Sequence, residues 1–177
     1  YDVVRAGRPM KEFIAELSQW YLRRSRDRFK GDSEEDKQFA LATLKEVLSV
    51  FSKVMAPITP FISEKMYEAV GGEMDSVHLE MWPEVYDGWK DEDVLDNMKQ
   101  ARKVVEMGLS LRKDSGIRVR QPLLEYRIWN MECEDGLKKI IAEELNVKNV
   151  EVGEVSGDNW VYKVDGEIHV ALNTEIT

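Results

Sequence analysis

Between Val3 and Asp114 the apolar residues recur at the three-and-four spacing of amphipathic helices, and beyond Gly116 that spacing gives way to a period of two. A chain that changes period once can fold as a helical part followed by a part containing strands. In the first part, Met10, Phe13, Ile14, Leu17 and Tyr21 define one stripe of a helix spanning about 3–30, with Pro9 in its first turn or at a kink. After Gly31, Asp32 or Ser33 is the expected N-cap of a second helix, whose first turn is acidic and whose inner stripe is Leu41, Leu44, Leu48, Phe51 and Met55. Pro57 and Pro60 end that helix near Ala56. Thr59 and Pro60 begin a third, with Ile62, Met66 and Val70 inside and Gly71-Gly72 at its end. Residues 73–90 read as a loop, and Asp91 caps a fourth helix running to about Asp114, with Val94, Met98, Ala101, Val105 and Leu109 inward.

Four long helices joined mostly by short connections predict a bundle. After it, residues 122–129 read as a strand, 134–145 as a helix, and 160–164 with 167–172 as a hairpin turning on Asp165-Gly166. The expected fold is mainly α, a helical bundle over 1–116 followed by a small α+β appendage over 117–177.

Composition narrows the function. The 177 residues carry 25 Lys and Arg against 34 Asp and Glu, a net charge of −9 that by itself argues against a nucleic-acid partner. Its distribution reverses that inference. Residues 1–120 hold 20 basic and 22 acidic side chains, and the rest hold 5 and 12, so most of the acidity belongs to the appendage. Two stretches are locally basic: Arg23, Arg24, Arg26, Arg28 and Lys30 against Asp27, and Lys99, Arg102, Lys103, Arg112, Lys113, Arg118 and Arg120 against Glu106 and Asp114. One Cys and two His leave no disulfide and no zinc ligand set, which suits a reducing compartment. No apolar run is long enough to cross a membrane. The chain starts without Met and reads as a piece of a longer one.

On an ideal helix, Arg24 and Arg28 continue the stripe of Met10, Leu17 and Tyr21, where an unpaired charge is costly, so both are expected in structural ion pairs or on carbonyls. Arg23, Arg26 and Lys30 fall on the opposite side, open either to phosphates or to water alone. Trp20 flanks them and is able to stack on a base or to pack inward, while Tyr21 is expected in the core. Arg112 and Lys113 suit a helix C-terminus through its dipole. Arg118 and Arg120 alternate onto one side of an extended segment, where they either clamp a phosphate or anchor the junction to the appendage. His78 with Glu80 nearby suggests an acid–base pair but is better read as structural, and Cys133 has no partner His.

These residues carry a resemblance. Trp20-Tyr21-Leu22-Arg23-Arg24-Ser25-Arg26-Asp27-Arg28-Phe29 resembles the WY-x-RRSR-x-RF signature of the isoleucyl-tRNA synthetases. Ala56-Pro57-Ile58-Thr59-Pro60-Phe61 through Glu64, and Ser76-Val77-His78-Leu79 through Trp82-Pro83, are similar to stretches shared by the class Ia synthetases for Ile, Val and Leu. Arg118-Val119-Arg120-Gln121-Pro122-Leu123 resembles their KVRQPL, and 172–177 their LDTEIT. The resemblance implies the anticodon-binding region of such an enzyme, with isoleucine tRNA and the catalytic domain of the same polypeptide as partners, in a cytoplasmic monomer. The HIGH and KMSKS motifs are missing, so the segment is expected to be inactive alone and to need no cofactor or metal, ATP and Mg²⁺ belonging to the full-length enzyme. Expected RNA contacts are Trp20, Arg23, Arg26, Lys30, Lys53, Arg112, Lys113, Arg118 and Arg120. The alternatives are a valyl-type anticodon-binding domain and a helical scaffold that binds no RNA.

Overall fold

The computed structural model describes residues 2–155, 157 and 159–175. Of the stretch similar to LDTEIT, residues 176 and 177 lie outside the described residues. The chain divides into two compact units, Tyr1–Val85 and Tyr86–Thr177.

The first unit holds α1 (Val3–Glu16), a π-helical turn (Leu17–Leu22), the short α2 (Arg26–Lys30), α3 (Glu34–Met55) and α4 (Pro60–Ala69). The expected single helix over 3–30 is thus broken. Each π turn inserts an extra residue per turn, which rotates every later side chain about the axis and ends the ideal-helix stripe near Leu17. Pro9 lies inside α1, beyond its first turn. The break is anchored: Tyr21 donates its hydroxyl to the Ala40 carbonyl at 3.1 Å, and Ser25 is buried where the helix restarts. Phe13 of α1 meets Phe51 of α3 with ring centroids 4.9 Å apart. Ser33 caps α3 by accepting from the Asp36 amide, and Pro60 occupies the first turn of α4, as their chemistry requires. Thr59 differs from expectation, because its hydroxyl turns back to the Met55 carbonyl instead of capping α4. Ile62 is exposed, and α4 buries Ser63 and Tyr67 instead.

Tyr67 organises the end of this unit. Its ring is 2% exposed, and its hydroxyl accepts from the Met74 amide at 2.9 Å and donates to the Glu80 carboxylate. Glu80 also pairs with Lys53 of α3 at 3.0 Å. Glu64 of α4 accepts from the Ser76 hydroxyl and the Val77 amide at 3.0 and 2.9 Å, so both ends of the 76–80 segment are held to the helices.

The second unit holds α5 (Glu92–Asp114), β1 (Leu123–Trp129), α6 (Asp135–Leu145), β2 (Val147–Val152), β3 (Trp160–Asp165) and β4 (Ile168–Asn173). The sheet order is β2-β1-β4-β3, with β1 and β2 parallel and the other pairs antiparallel. Helices α5 and α6 pack on this sheet, and Tyr126 reaches from β1 to donate to the Val104 carbonyl of α5 at 2.8 Å. The expected boundary at residue 116 therefore falls inside a unit: α5, read as the fourth bundle helix, buries Ala101, Val104, Val105, Met107, Gly108, Leu111 and Arg112 in the unit that contains the sheet. Val94 and Leu109, expected inward, are exposed. The hairpin turns one residue later than expected. Asp165 pairs with Ile168, leaving Gly166-Glu167 as the turn, with Gly166 at φ 64° in the first central position. Strand β2, absent from the sequence reading, completes a parallel β-α-β unit with β1 and α6.

Two outcomes test the packing of the first unit. A Cβ built on Gly72 would stand 2.1 Å from the Tyr67 ring, which its two hydrogen bonds prevent from moving aside. Gly72→Ala should therefore cost about 3 kcal/mol, at the high end for overpacking, measured as a lowered urea midpoint. The hydrogen bond from Tyr67, followed by that from Lys53, holds the Glu80 carboxyl below the ordinary range. A depressed folded-state pKa contributes stability that is present above the unfolded value, about 4.3, and is lost as pH falls through the folded one. The parent should be more stable than Glu80→Gln at pH 7, and that gap should narrow steadily below about pH 4.3 in parallel thermal melts.

Candidate nucleic-acid interface

In the first unit the π turn and α2 carry the first basic stretch. The Arg23 guanidinium lies 5.8 Å from the centre of the Trp20 ring, and its Nε donates to the Gln19 carbonyl at 2.7 Å. Trp20 is half-buried and Arg23 exposed, so the indole supports a guanidinium at the surface. Arg26 and Lys30 are exposed and four residues apart, on one side of α2. Arg28 turns away from them to Asp36 of α3, its Nη2 2.6 Å from one carboxylate oxygen and its Nε 3.0 Å from each. This bidentate pair raises the Arg28 pKa and lowers that of Asp36, chiefly through the hydrogen bonds. Arg28 is engaged in this ion pair, although its side chain remains 42% exposed. Arg24 is half-buried.

Two expected contacts have other duties. Lys53 reaches Glu80, with side-chain exposures of 23% and 16%. Its ammonium completes the Tyr67–Glu80 network and is not presented to a ligand. The same network removes the acid–base reading of His78, since the Glu80 carboxylate is committed to Lys53 and Tyr67.

The second stretch lies in the other unit, around the end of α5. Ser115 caps the helix, Gly116 follows at φ 69°, and the Ile117 and Gly116 amides return to the Arg112 and Lys113 carbonyls at 2.8 and 3.1 Å. Arg112, expected among the RNA contacts, is 1% exposed. Its Nη1 donates to the carbonyls of Arg118 and Gln121, each at 3.0 Å, and its Nη2 to that of Asn146 at 2.9 Å. Burial lowers its pKa, and its Nε has no hydrogen-bond partner among the described residues. Arg112 cannot touch RNA in this arrangement.

Residues 118–121, expected to be extended, form a turn closed by the Gln121 amide on the Arg118 carbonyl at 3.0 Å. The Gln121 side chain accepts from the Arg118 amide at 3.0 Å, and the Asn146 side chain donates to the Val119 carbonyl at 2.9 Å. Lys113, Arg118 and Arg120 are exposed around it. Sequence reasoning missed Gln121 and Asn146. Only Asn146 left a sign there, as an Asn directly after a helix, and it adopts the left-handed C-cap at φ 49°.

Exposed cations on locked backbone, with an indole beside one group, suit a polyanion whose bases are partly unstacked. Among the described residues no cluster of three or more His, Cys, Asp and Glu is placed to hold a metal, and no helix is long and apolar enough to cross a membrane.

Residues 1–128 match the family model described as the anticodon-binding domain of tRNA ligase. The chain is 45% identical over 158 residues to an isoleucine–tRNA ligase of Chlamydia trachomatis, 41% over 155 to one of Deinococcus radiodurans, and 38% over 159 to one of Clostridium acetobutylicum. These alignments cover 85–86% of the chain but only 14–15% of each relative, so the chain spans about one-seventh of their length. The relatives carry the isoleucine name, which does not favour the valyl-type alternative. With its tRNA-ligase relatives, its helical first unit and its outward cations, the chain belongs to the anticodon-binding domain family of tRNA ligases.

Proposed function

We propose that this chain is the part of an isoleucine–tRNA ligase that holds the anticodon stem-loop of isoleucine tRNA, supporting aminoacylation by a catalytic region of the same polypeptide in a cytoplasmic monomer. The observation that carries the reading is the group Arg23, Arg26 and Lys30 standing outward beside half-buried Trp20 in a member of this family. In the second unit Lys113, Arg118 and Arg120 join the candidate contacts, and Lys53 and Arg112 leave them. The cations meet phosphates and set the position of the RNA, while Trp20 offers an aromatic surface to an unstacked base. ATP, Mg²⁺ and the adenylate chemistry are assigned to the catalytic region, because these residues contain neither the HIGH nor the KMSKS motif.

Filter binding of isoleucine tRNA to the 177-residue chain in rising salt tests this reading. Neutralising about four to six phosphates should give a log–log slope of roughly −3 to −5. Arg23→Glu combined with Arg26→Glu should weaken binding at least tenfold, by about 1.4 kcal/mol or more. Undiminished binding accompanied by lost stability would instead identify a scaffold whose arginines serve internal pairs.

A further inference from the structure

The RNA-binding reading leaves the buried Arg112 without a role, yet its guanidinium donates to three main-chain carbonyls that lie beyond its own helix. Two of those carbonyls belong to the turn that carries Arg118 and Arg120. Gln121 braces that turn from within, through its contact with the Arg118 amide, and Asn146 braces it from the end of α6, through the Val119 carbonyl. The carbonyls of Arg118, Val119 and Gln121 are therefore each held by a side chain. The side chains of Arg118, Val119 and Arg120 remain outside.

We infer that Arg112, Gln121 and Asn146 are positioning residues for RNA binding, locking the 118–121 turn so that Arg118 and Arg120 meet the phosphate backbone already in place. This rests on the reading that the turn contacts RNA. The physical advantage is entropic, because ordering a loose turn on contact would subtract from the affinity that its two guanidiniums supply. The fork of a guanidinium is suited to such bracing, since one planar group reaches three carbonyls from two separate segments, which a lysine ammonium cannot do with the same geometry. Buried and poorly screened, the Arg112 charge also adds positive potential beneath the turn.

The test is a cycle in the 177-residue chain, using the isoleucine tRNA anticodon stem-loop as probe. Asn146→Gly keeps the left-handed backbone that glycine favours and removes only the brace to Val119, and Gln121→Ala removes the inner brace. Each should weaken RNA binding about three- to tenfold at roughly 0.1 M salt and speed amide exchange in residues 118–121. Arg118→Gln with Arg120→Gln should reduce the salt slope by about 1.5. In that neutralised background Asn146→Gly and Gln121→Ala should have no further effect on binding.

An equal loss in both backgrounds would overturn the inference, since the braces would then act on the whole fold. Unchanged binding in both brace variants would overturn it as well. If Arg118→Gln with Arg120→Gln binds like the parent, the turn is not an RNA contact and the inference falls, while the Arg23 and Arg26 reversal still decides the reading of the first unit.

Discussion

A guanidinium buried among carbonyls governs the second unit. Arg112 is 1% exposed and faces no carboxylate in its hydrogen bonds; its charge is met by the dipoles of Arg118, Gln121 and Asn146. Moving such a charge out of water costs several kcal/mol, and hydrogen bonds to a charged group return roughly 1.5–3 kcal/mol each. The arrangement is therefore stable only while all three acceptors stay in place. This requirement ties together the end of α5, the turn leading into β1 and the end of α6, and it fixes where β1 begins, because the Leu123 amide donates to the same Asn146 carbonyl that Arg112 holds.

The first unit meets a related problem with a carboxylate. Glu80 accepts from Tyr67 and pairs with Lys53, joining α3 and α4 to the segment that follows them. The two devices divide the basic residues of the chain in the same way. Some cations are drawn inward or sideways as fasteners: Arg28 by Asp36, Lys53 by Glu80, Arg112 by carbonyls. Others are exposed and outside these fasteners: Arg26, Lys30, Lys113, Arg118 and Arg120, with Arg23 exposed but engaged by Trp20 and the Gln19 carbonyl. A local excess of positive charge in sequence thus overstates the charge available to a ligand, just as the net −9 understates it.

What was legible in the sequence is what local chemistry decides. Ser33, Asp91, Pro60 and Gly116 mark helix ends because each acts on backbone groups within a turn of itself, and the structure places all four at those ends. The family was legible because its motifs are contiguous. The π turn was not, since Leu17–Leu22 has the composition of an ordinary helix and the extra residue per turn shows only in the hydrogen bonds. Nor was β2: residues 147–152 bury Val147 and Val150, which does not alternate, and their partner is a parallel strand across α6. The fates of Lys53 and Arg112 depended on groups distant in sequence, Glu80 in one case and Asn146 in the other.

The π turn bears on how a stem-loop would be engaged. An arginine held over an indole keeps its charge but loses rotamer freedom and part of its hydration, so less remains to be lost when it meets a phosphate. Its Nε is already engaged by the Gln19 carbonyl, which fixes the plane of the guanidinium. A regular helix would rotate Trp20 and Tyr21 differently relative to α3; the inserted residue lets Tyr21 reach Ala40 while Trp20 stays at the surface beneath Arg23. The same local irregularity thus joins the turn to α3 and presents the aromatic–cation pair. In both units some of the candidate contacts, Trp20 in the first and Arg118 and Arg120 in the second, stand on irregular backbone tied down by hydrogen bonds from neighbouring side chains, which is how a rigid display can be built outside regular secondary structure.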